Sequence, residues 1–165
     1  MNNTGTHTVV EAFLEHNNKF LMMRRSKERK VYPDVWAAIG GGAKLEEMFY
    51  PRAACLREIT EETSILPDEI TGLSLRYLIV VNININIRNH FVYFGKSKTI
   101  DFIDTDEGTL YWVDKDDLLN LKLTPYFKSL IQHYLTEAQY DNFIYLGTID
   151  EHNNLVFNIF NIYNG

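Results

Sequence analysis

With 165 residues, 45% of them hydrophobic and 23% charged, the chain has the length and composition of one globular domain with a real core. A formal net charge of -6 speaks against a general nucleic-acid-binding surface, though not against a phosphate substrate arriving with a divalent cation, whose charge inverts the local electrostatics. The single cysteine, Cys55, excludes an internal disulfide. The polar start at residues 1–7 lacks an apolar leader, and no apolar run approaches the roughly 18 residues of a bilayer span, so a cytoplasmic protein without a membrane partner is expected.

In chain order, residues 8–14 and 20–24 read as two strands joined by a tight turn at Asn17-Asn18. Residues 26–33 form a basic polar loop, and the apolar segment 36–39 runs into Gly40, Gly41 and Gly42. Pro51 suits the first turn of a helix continuing to about residue 64, before Pro67 ends it. Strands are expected at 73–81, 91–94 and 110–113. Between the first two, Asn82-Ile83-Asn84-Ile85-Asn86-Ile87 alternates polar and apolar residues at the strand period, as an amphipathic edge strand would. Residues 104–108 form an acidic loop, Thr124-Pro125 caps and opens a helix to about 138, and 143–146 with 155–162 reads as a closing hairpin. With no repeat and no linker, residues 1–165 read as one α/β domain with a mixed sheet.

The acids on the first helix carry the chemistry. At 100° per residue, Glu58, Glu61 and Glu62 fall within an arc of roughly 100°, while Leu56, Ile59 and Thr63 turn toward a core and Ala54 leaves room beneath the arc. Such a cluster by itself is more often a solvated face. Three mutually repelling carboxylates a few turns after a glycine run instead suggest a bound hard cation with oxygen ligands. None of the five histidines forms a ligand-like cluster, which disfavours zinc.

Taken together, these residues resemble the Nudix box, the signature of hydrolases that cleave a nucleoside diphosphate linked to another group. The family pattern is Gly, five residues, Glu, seven residues, Arg-Glu, an aliphatic residue, any residue, Glu-Glu, any residue, Gly, aliphatic. Gly41 and Glu47 fit its first part, and Arg57, Glu58, Ile59, Glu61, Glu62 and Ile65 its second. Two departures stand out: nine residues separate Glu47 from Arg57, and Ser64 occupies the usual glycine position. A second register, with Ala43 at the glycine and Phe49 at the glutamate, is disfavoured because two extra residues before Pro51 only lengthen a loop. The approach at residues 34–41 and the stretch 106–113 are similar to the strands flanking the family's box, so the resemblance covers about residues 8–134.

The resemblance implies a Nudix-type α/β/α sandwich with a mixed β-sheet, a Nudix helix at about 51–64 and a C-terminal helix at about 125–138. It implies Mg²⁺ or Mn²⁺ held by Glu58, Glu61 and Glu62 with the Gly40 carbonyl, and Glu47 supporting the loop or joining the metal shell. Arg57 would orient the glutamates. Glu107 would be a further ligand or general base, with Glu58 and Glu61 as competitors for that role. Arg24, Arg25 and Arg88 are candidates for gripping substrate phosphates. Strand aromatics such as Trp36, Tyr77, Phe91 and Tyr93 read as core. The expected activity is metal-dependent cleavage of a diphosphate bond in a nucleotide derivative. MutT-like action on (oxidised) nucleoside triphosphates is one subclass, ADP-ribose or nucleotide-sugar cleavage another, and a catalytically weak nucleotide sensor a third. The expected partner is a small nucleotide and not polymeric nucleic acid, and the family analogy suggests a homodimer.

Overall fold

The structure, a computed structural model, describes residues 6–83, 86–152 and 154–160. Its strands form a single mixed sheet built around β1 (Thr6–His16), which runs parallel to β6 (Asn86–Ser97) along one edge. The other edge of β1 is shared. Val9 to Ala12 pair antiparallel with β4 (Ile39–Gly42), and Glu15 and His16 pair with the start of β2 (Lys19–Arg25). The turn between β1 and β2 holds Asn17 and Asn18 at φ of 48° and 63°, left-handed values that asparagine tolerates better than most residues. β2 in turn pairs with the two-residue β3 (Trp36–Ala37) and with β7 (Gly108–Asp114). Beyond β6 the sheet continues through β5 (Ile70–Ile83), β8 (Tyr145–Ile149) and β9 (Leu155–Ile159).

Strand alternation divides the core in two. Val10, Ala12 and Leu14 of β1 with Leu21 and Met23 of β2 face one side, where they meet Ala54, Cys55 and Ile59 of α1 (Pro51–Thr63). Phe13, Phe20 and Met22 face the other side, against Leu130 and Ile131 of α2 (Pro125–Thr136). The result is the α/β/α sandwich expected from the sequence. Pro51 and Pro125 both occupy the first turn of their helices, where the missing N–H has no intrahelical acceptor to lose. Thr124 caps α2 by accepting from the Phe127 N–H at 3.3 Å.

Some expectations need correcting. The Asn-Ile alternation is not a strand of its own: Asn82 and Ile83 close β5, Asn86 and Ile87 open β6, and these pair with one another, while residues 84 and 85 lie outside the described residues. The real β5 and β6 are longer than the apolar runs 73–81 and 91–94 that announce them, because backbone pairing carries both strands past their buried segments. The apolar segment 36–39 is broken at Ala38 into two short strands with different partners. α2 stops at Thr136, and Ala138–Tyr140 tightens into a 3-10 turn. On α1, Leu56 is only partly buried, whereas Ala54 is fully enclosed in the core. Residues 161 and 162 of the expected hairpin lie outside the described residues.

The aromatics read as core are so placed: Tyr77 and Tyr93 are buried, and Trp36 and Phe91 pack against the two clusters. Tyr77 also shares a 2.9 Å hydrogen bond between its hydroxyl and His133 Nδ1, which satisfies the polar atom of a wholly buried ring. Cys55 is enclosed, and its thiol is pushed up to about 12 chiefly by burial, with the charges of Glu58 and Glu11 adding to the effect. Among the described residues no helix is long and apolar enough to cross a membrane.

Candidate functional site

Two elements form the site. β4 ends in three glycines beside β1, and α1 lays its acidic arc against them. Gly40 has φ of 150°, and a Cβ there would fall 2.0 Å from the Val10 carbonyl oxygen, so only glycine permits this approach of β4 to β1. At Gly41 a Cβ would lie 2.7 Å from a Glu58 carboxylate oxygen; the missing side chain is the space in which that carboxylate rests.

Arg57 organises the acids. Its Nε and one terminal nitrogen donate to the two Glu47 carboxylate oxygens at 2.8 and 2.9 Å. The other terminal nitrogen donates to Glu58 at 2.8 Å and to Glu61 at 2.7 Å. A fifth bond of 3.1 Å reaches the Gly42 carbonyl, so every N–H of the guanidinium is engaged. These bonds raise the Arg57 pKa and lower that of Glu47 to about 2, the arginine bond leading and the Lys44 N–H assisting. Phe49, the alternative to Glu47, is 88% exposed and takes no part.

Glu62 sits deeper. It is 7% exposed and accepts the Gly40 N–H at 2.8 Å, so Gly40, expected to serve through its carbonyl, is engaged with the acids through its N–H. Burial pushes the Glu62 pKa up to about 7 against that hydrogen bond, with the nearby charges of Glu107 and Glu58 adding to the rise. Glu58 is likewise raised, first by burial and further by Glu61 and Glu107. Glu107, from the loop before β7, therefore acts electrostatically on two of the helix acids although it is distant in sequence. Its own carboxylate is 3.3 Å from Arg29.

The predicted arginines separate. Arg24 is exposed and bound to Asp34, through Nε at 2.9 Å and a terminal nitrogen at 2.7 Å. Arg25 is close enough to Glu62 to lower its pKa, and its buried Nε has no hydrogen-bond partner. Arg88 meets no acid among the described residues and lines a cleft with Gly42, Ala43 and Met48. Lys44 escaped the sequence reading: its N–H donates to Glu47 at 2.9 Å and its ammonium lies 3.6 Å from Glu61. Only its position inside the glycine-to-glutamate spacer could have signalled it.

The donor set suits a hard divalent cation, being made of carboxylate oxygens, two of them on groups whose pKa is raised first by burial and then by neighbouring carboxylates. Arg57 and Lys44 both pair with Glu61, and no three acid, histidine or cysteine side chains among the described residues converge as a metal cage. Glu58, Glu61 and Glu62 thus fit a cation by chemistry, Glu58 and Glu61 sharing one Arg57 nitrogen as donor.

A family model described as NUDIX domain matches residues 5–134, spanning the glycines, the acidic helix and Glu107. The chain belongs to the Nudix hydrolase family. The sandwich is shared with solved relatives such as the MutT protein of Methanosarcina mazei Go1, at a TM-score of 0.65 and 21% identity, covering 84% of this chain and 99% of that one. This likeness concerns the fold. Among curated proteins, similarity is found to the m7GpppN-mRNA hydrolase NUDT17 of Danio rerio, 34% identical over 85 residues that make up 47% of this chain and 28% of the relative. The Xenopus laevis protein of the same name is 40% identical over 55 residues, 33% of this chain and 18% of the relative. The matched segments thus span less than a third of either curated relative. The β8–β9 hairpin lies beyond the region that the Nudix family model matches.

Proposed function

We propose that this Nudix chain hydrolyses a diphosphate bond in a nucleoside diphosphate derivative, using Mg²⁺ or Mn²⁺ held by Glu58, Glu61 and Glu62. The observation that carries the reading is the Arg57 fork, which fixes Glu47, Glu58 and Glu61 together while the Gly40 N–H fixes Glu62. A bound cation would neutralise the diphosphate and lower the pKa of an attacking water. The chain's own residues supply the rest. Arg57 holds Glu58 with one oxygen engaged and the other free to ligate, and Glu47 locks Arg57 from behind. Glu107, whose charge acts on Glu58 and Glu62, would serve as a further ligand or as the base that takes the water's proton, a role for which Glu58 and Glu61 compete. Arg25, with an unused buried donor beside Glu62, is the better placed of the neighbouring arginines to receive a substrate phosphate.

Within this class, cleavage of (oxidised) nucleoside triphosphates and of ADP-ribose or nucleotide sugars are the candidate reactions, in a cytoplasmic setting. The names of the two curated relatives add a capped-RNA 5′ end, itself a nucleoside polyphosphate, to the substrates worth testing. A catalytically weak sensor is the second reading, favoured by the engagement of Glu61 with both Arg57 and Lys44.

The test is incubation with Mg²⁺ and a panel of nucleoside triphosphates, ADP-ribose, nucleotide sugars and capped oligonucleotide, with products identified by phosphorus NMR. Release of a nucleoside monophosphate that disappears in Glu61→Gln and Glu62→Gln supports the hydrolase. Nucleotide binding without turnover on any member selects the sensor.

A further inference from the structure

A second cleft lies on the α2 side of the sheet, where the end of β1, the start of β5 and the end of β6 meet the last turn of α2. Strand register sets which side chains face it. Thr71 pairs with Lys96 and Ser74 with Phe94, and Phe94 belongs to the core cluster on the α2 side. Cross-strand partners share a face, as do residues two apart along a strand, so Lys96, Thr71 and Ser74 all stand on that side. Thr71 and Ser74 are three residues apart, and the register shift between them supplies the extra residue that puts both on one face. Glu15 joins them as the parallel partner of Lys96. Helix α1 with its acids packs on the opposite side of the sheet.

The donors of this cleft are only partly used. Arg76 lines it and is 7% exposed. Its Nε donates to the Phe143 carbonyl at 3.0 Å, and one terminal nitrogen serves the Ala138 carbonyl and, at 2.8 Å, Asp141. The other terminal nitrogen makes no hydrogen bond among the described residues and is not sealed from solvent. Lys96 is exposed and meets no acid among the described residues, whereas Glu15 is held 3.0 Å from Lys115, which balances its charge. The Thr71 and Ser74 hydroxyls are likewise unbonded among the described residues. Tyr134 closes the cleft by stacking on Phe94 at 3.7 Å, and the charges of Glu15 and Arg76 both act on its hydroxyl. The volume, about 180 Å³, falls below the range of nucleotide-sized sites. Free cationic donors and hydroxyls converging from two strands suit a tetrahedral oxyanion with several acceptor oxygens. We propose that this cleft seats a phosphate group, held by Arg76 and Lys96 with the Thr71 and Ser74 hydroxyls, on the face of the sheet away from the acids. The inference does not depend on the hydrolase reading.

Titration of the full chain with inorganic phosphate tests this, in chelator and at an ionic strength held constant with chloride. Without metal the acids on the other face repel the anion, so the outcome is independent of turnover. In nitrogen–proton NMR spectra the amides of Ser74, Gly95 and Lys96 are expected to shift saturably, while those of Gly41 and Arg57 stay in place. The Tm should rise with phosphate concentration, by linkage. Arg76 also clamps the chain at Ala138, Phe143 and Asp141, so the variants are made at exposed positions instead. Lys96→Gln should weaken phosphate about tenfold and Ser74→Ala about threefold, as expected for a charge-assisted and a neutral contact. Lys98→Gln, which removes an ammonium that donates to the Asp68 carbonyl, should change nothing. Ribose 5-phosphate separates the sources: binding equal to that of phosphate gives a seat for a phosphomonoester, and its exclusion gives a seat for the free ion. Shifts that do not saturate, binding unaltered in Lys96→Gln, equal weakening in Lys98→Gln, or shifts centred on Gly41 would each overturn the proposal.

Discussion

Arg57 and Glu47 are joined by two parallel hydrogen bonds of 2.8 and 2.9 Å across a spacer two residues longer than the family pattern. The extra length is absorbed before Pro51, around the exposed Phe49 and Tyr50, so the pairing survives the insertion. Arg57→Lys keeps a positive charge but offers a single nitrogen in place of the fork, and cannot hold Glu47 while reaching Glu58 and Glu61. The expected result is a 10- to 100-fold loss of Mn²⁺ affinity and of activity, read by metal titration and steady-state kinetics. Glu47→Gln should fall in the same range, and adding Phe49→Glu should not restore it. Rescue by the second change would mean that the other register of the box operates.

Ser64 ends α1 at φ of 63°, in the left-handed region, with its N–H bonded to the Thr60 carbonyl at 2.9 Å. That conformation costs a residue with a Cβ roughly 1–2 kcal/mol, part of which glycine gives back through greater freedom in the unfolded chain. Ser64→Gly is therefore expected to stabilise the fold by about 0.5–1 kcal/mol, or a few degrees in Tm. Urea denaturation measures it directly. An unchanged or lower midpoint would show that the serine contributes something that glycine lacks.

Glu62 gives the metal-free protein a defined pH dependence. Its folded pKa of about 7 lies above the ordinary 4.5, so the group favours the folded state fully below about pH 4.5, and that contribution is lost as pH rises to about 7. At about 1.4 kcal/mol per unit the charged form costs on the order of 3 kcal/mol. Glu62→Gln retains an oxygen for the Gly40 N–H and carries no charge. In chelator, the variant should match the wild type near pH 4.5 and exceed it in Tm at pH 8. Adding Mg²⁺ at pH 8 should raise the Tm of the wild type more than that of the variant, by linkage. Parallel curves from pH 4.5 to 8 would contradict the burial of a charged Glu62.

Arg24 and Arg25 are adjacent in sequence but have opposite tasks. Arg24 is spent on Asp34, whereas Arg25 keeps an unpaired Nε near Glu62. Arg25→Ala is expected to raise KM about tenfold or more by removing a charge-assisted phosphate contact. Arg24→Ala should change KM by less than about twofold, since an exposed ion pair contributes little. Equal effects of the two substitutions would refute the division.

Pattern and spacing in the sequence determined the two helices, most of the strands and the acid arc, and the resemblance to the Nudix box brought Glu47 and Arg57 into one group with them. These are local or nearly local facts: helical period, proline position, glycine run, and strand alternation repeated over several turns or pleats. Only the tertiary structure decided which residues from distant segments meet. It put the Glu107 charge among the helix acids, turned Arg25 inward and Arg24 outward, and set Arg88 on a cleft behind residues 42–48. It also divided the Asn-Ile segment between the paired ends of β5 and β6, a pairing that the alternation of a single strand does not encode. The acidic arc could be read from 100° per residue; the unequal protonation of its members depends on burial and on charges from other loops, quantities that exist only once the chain is folded.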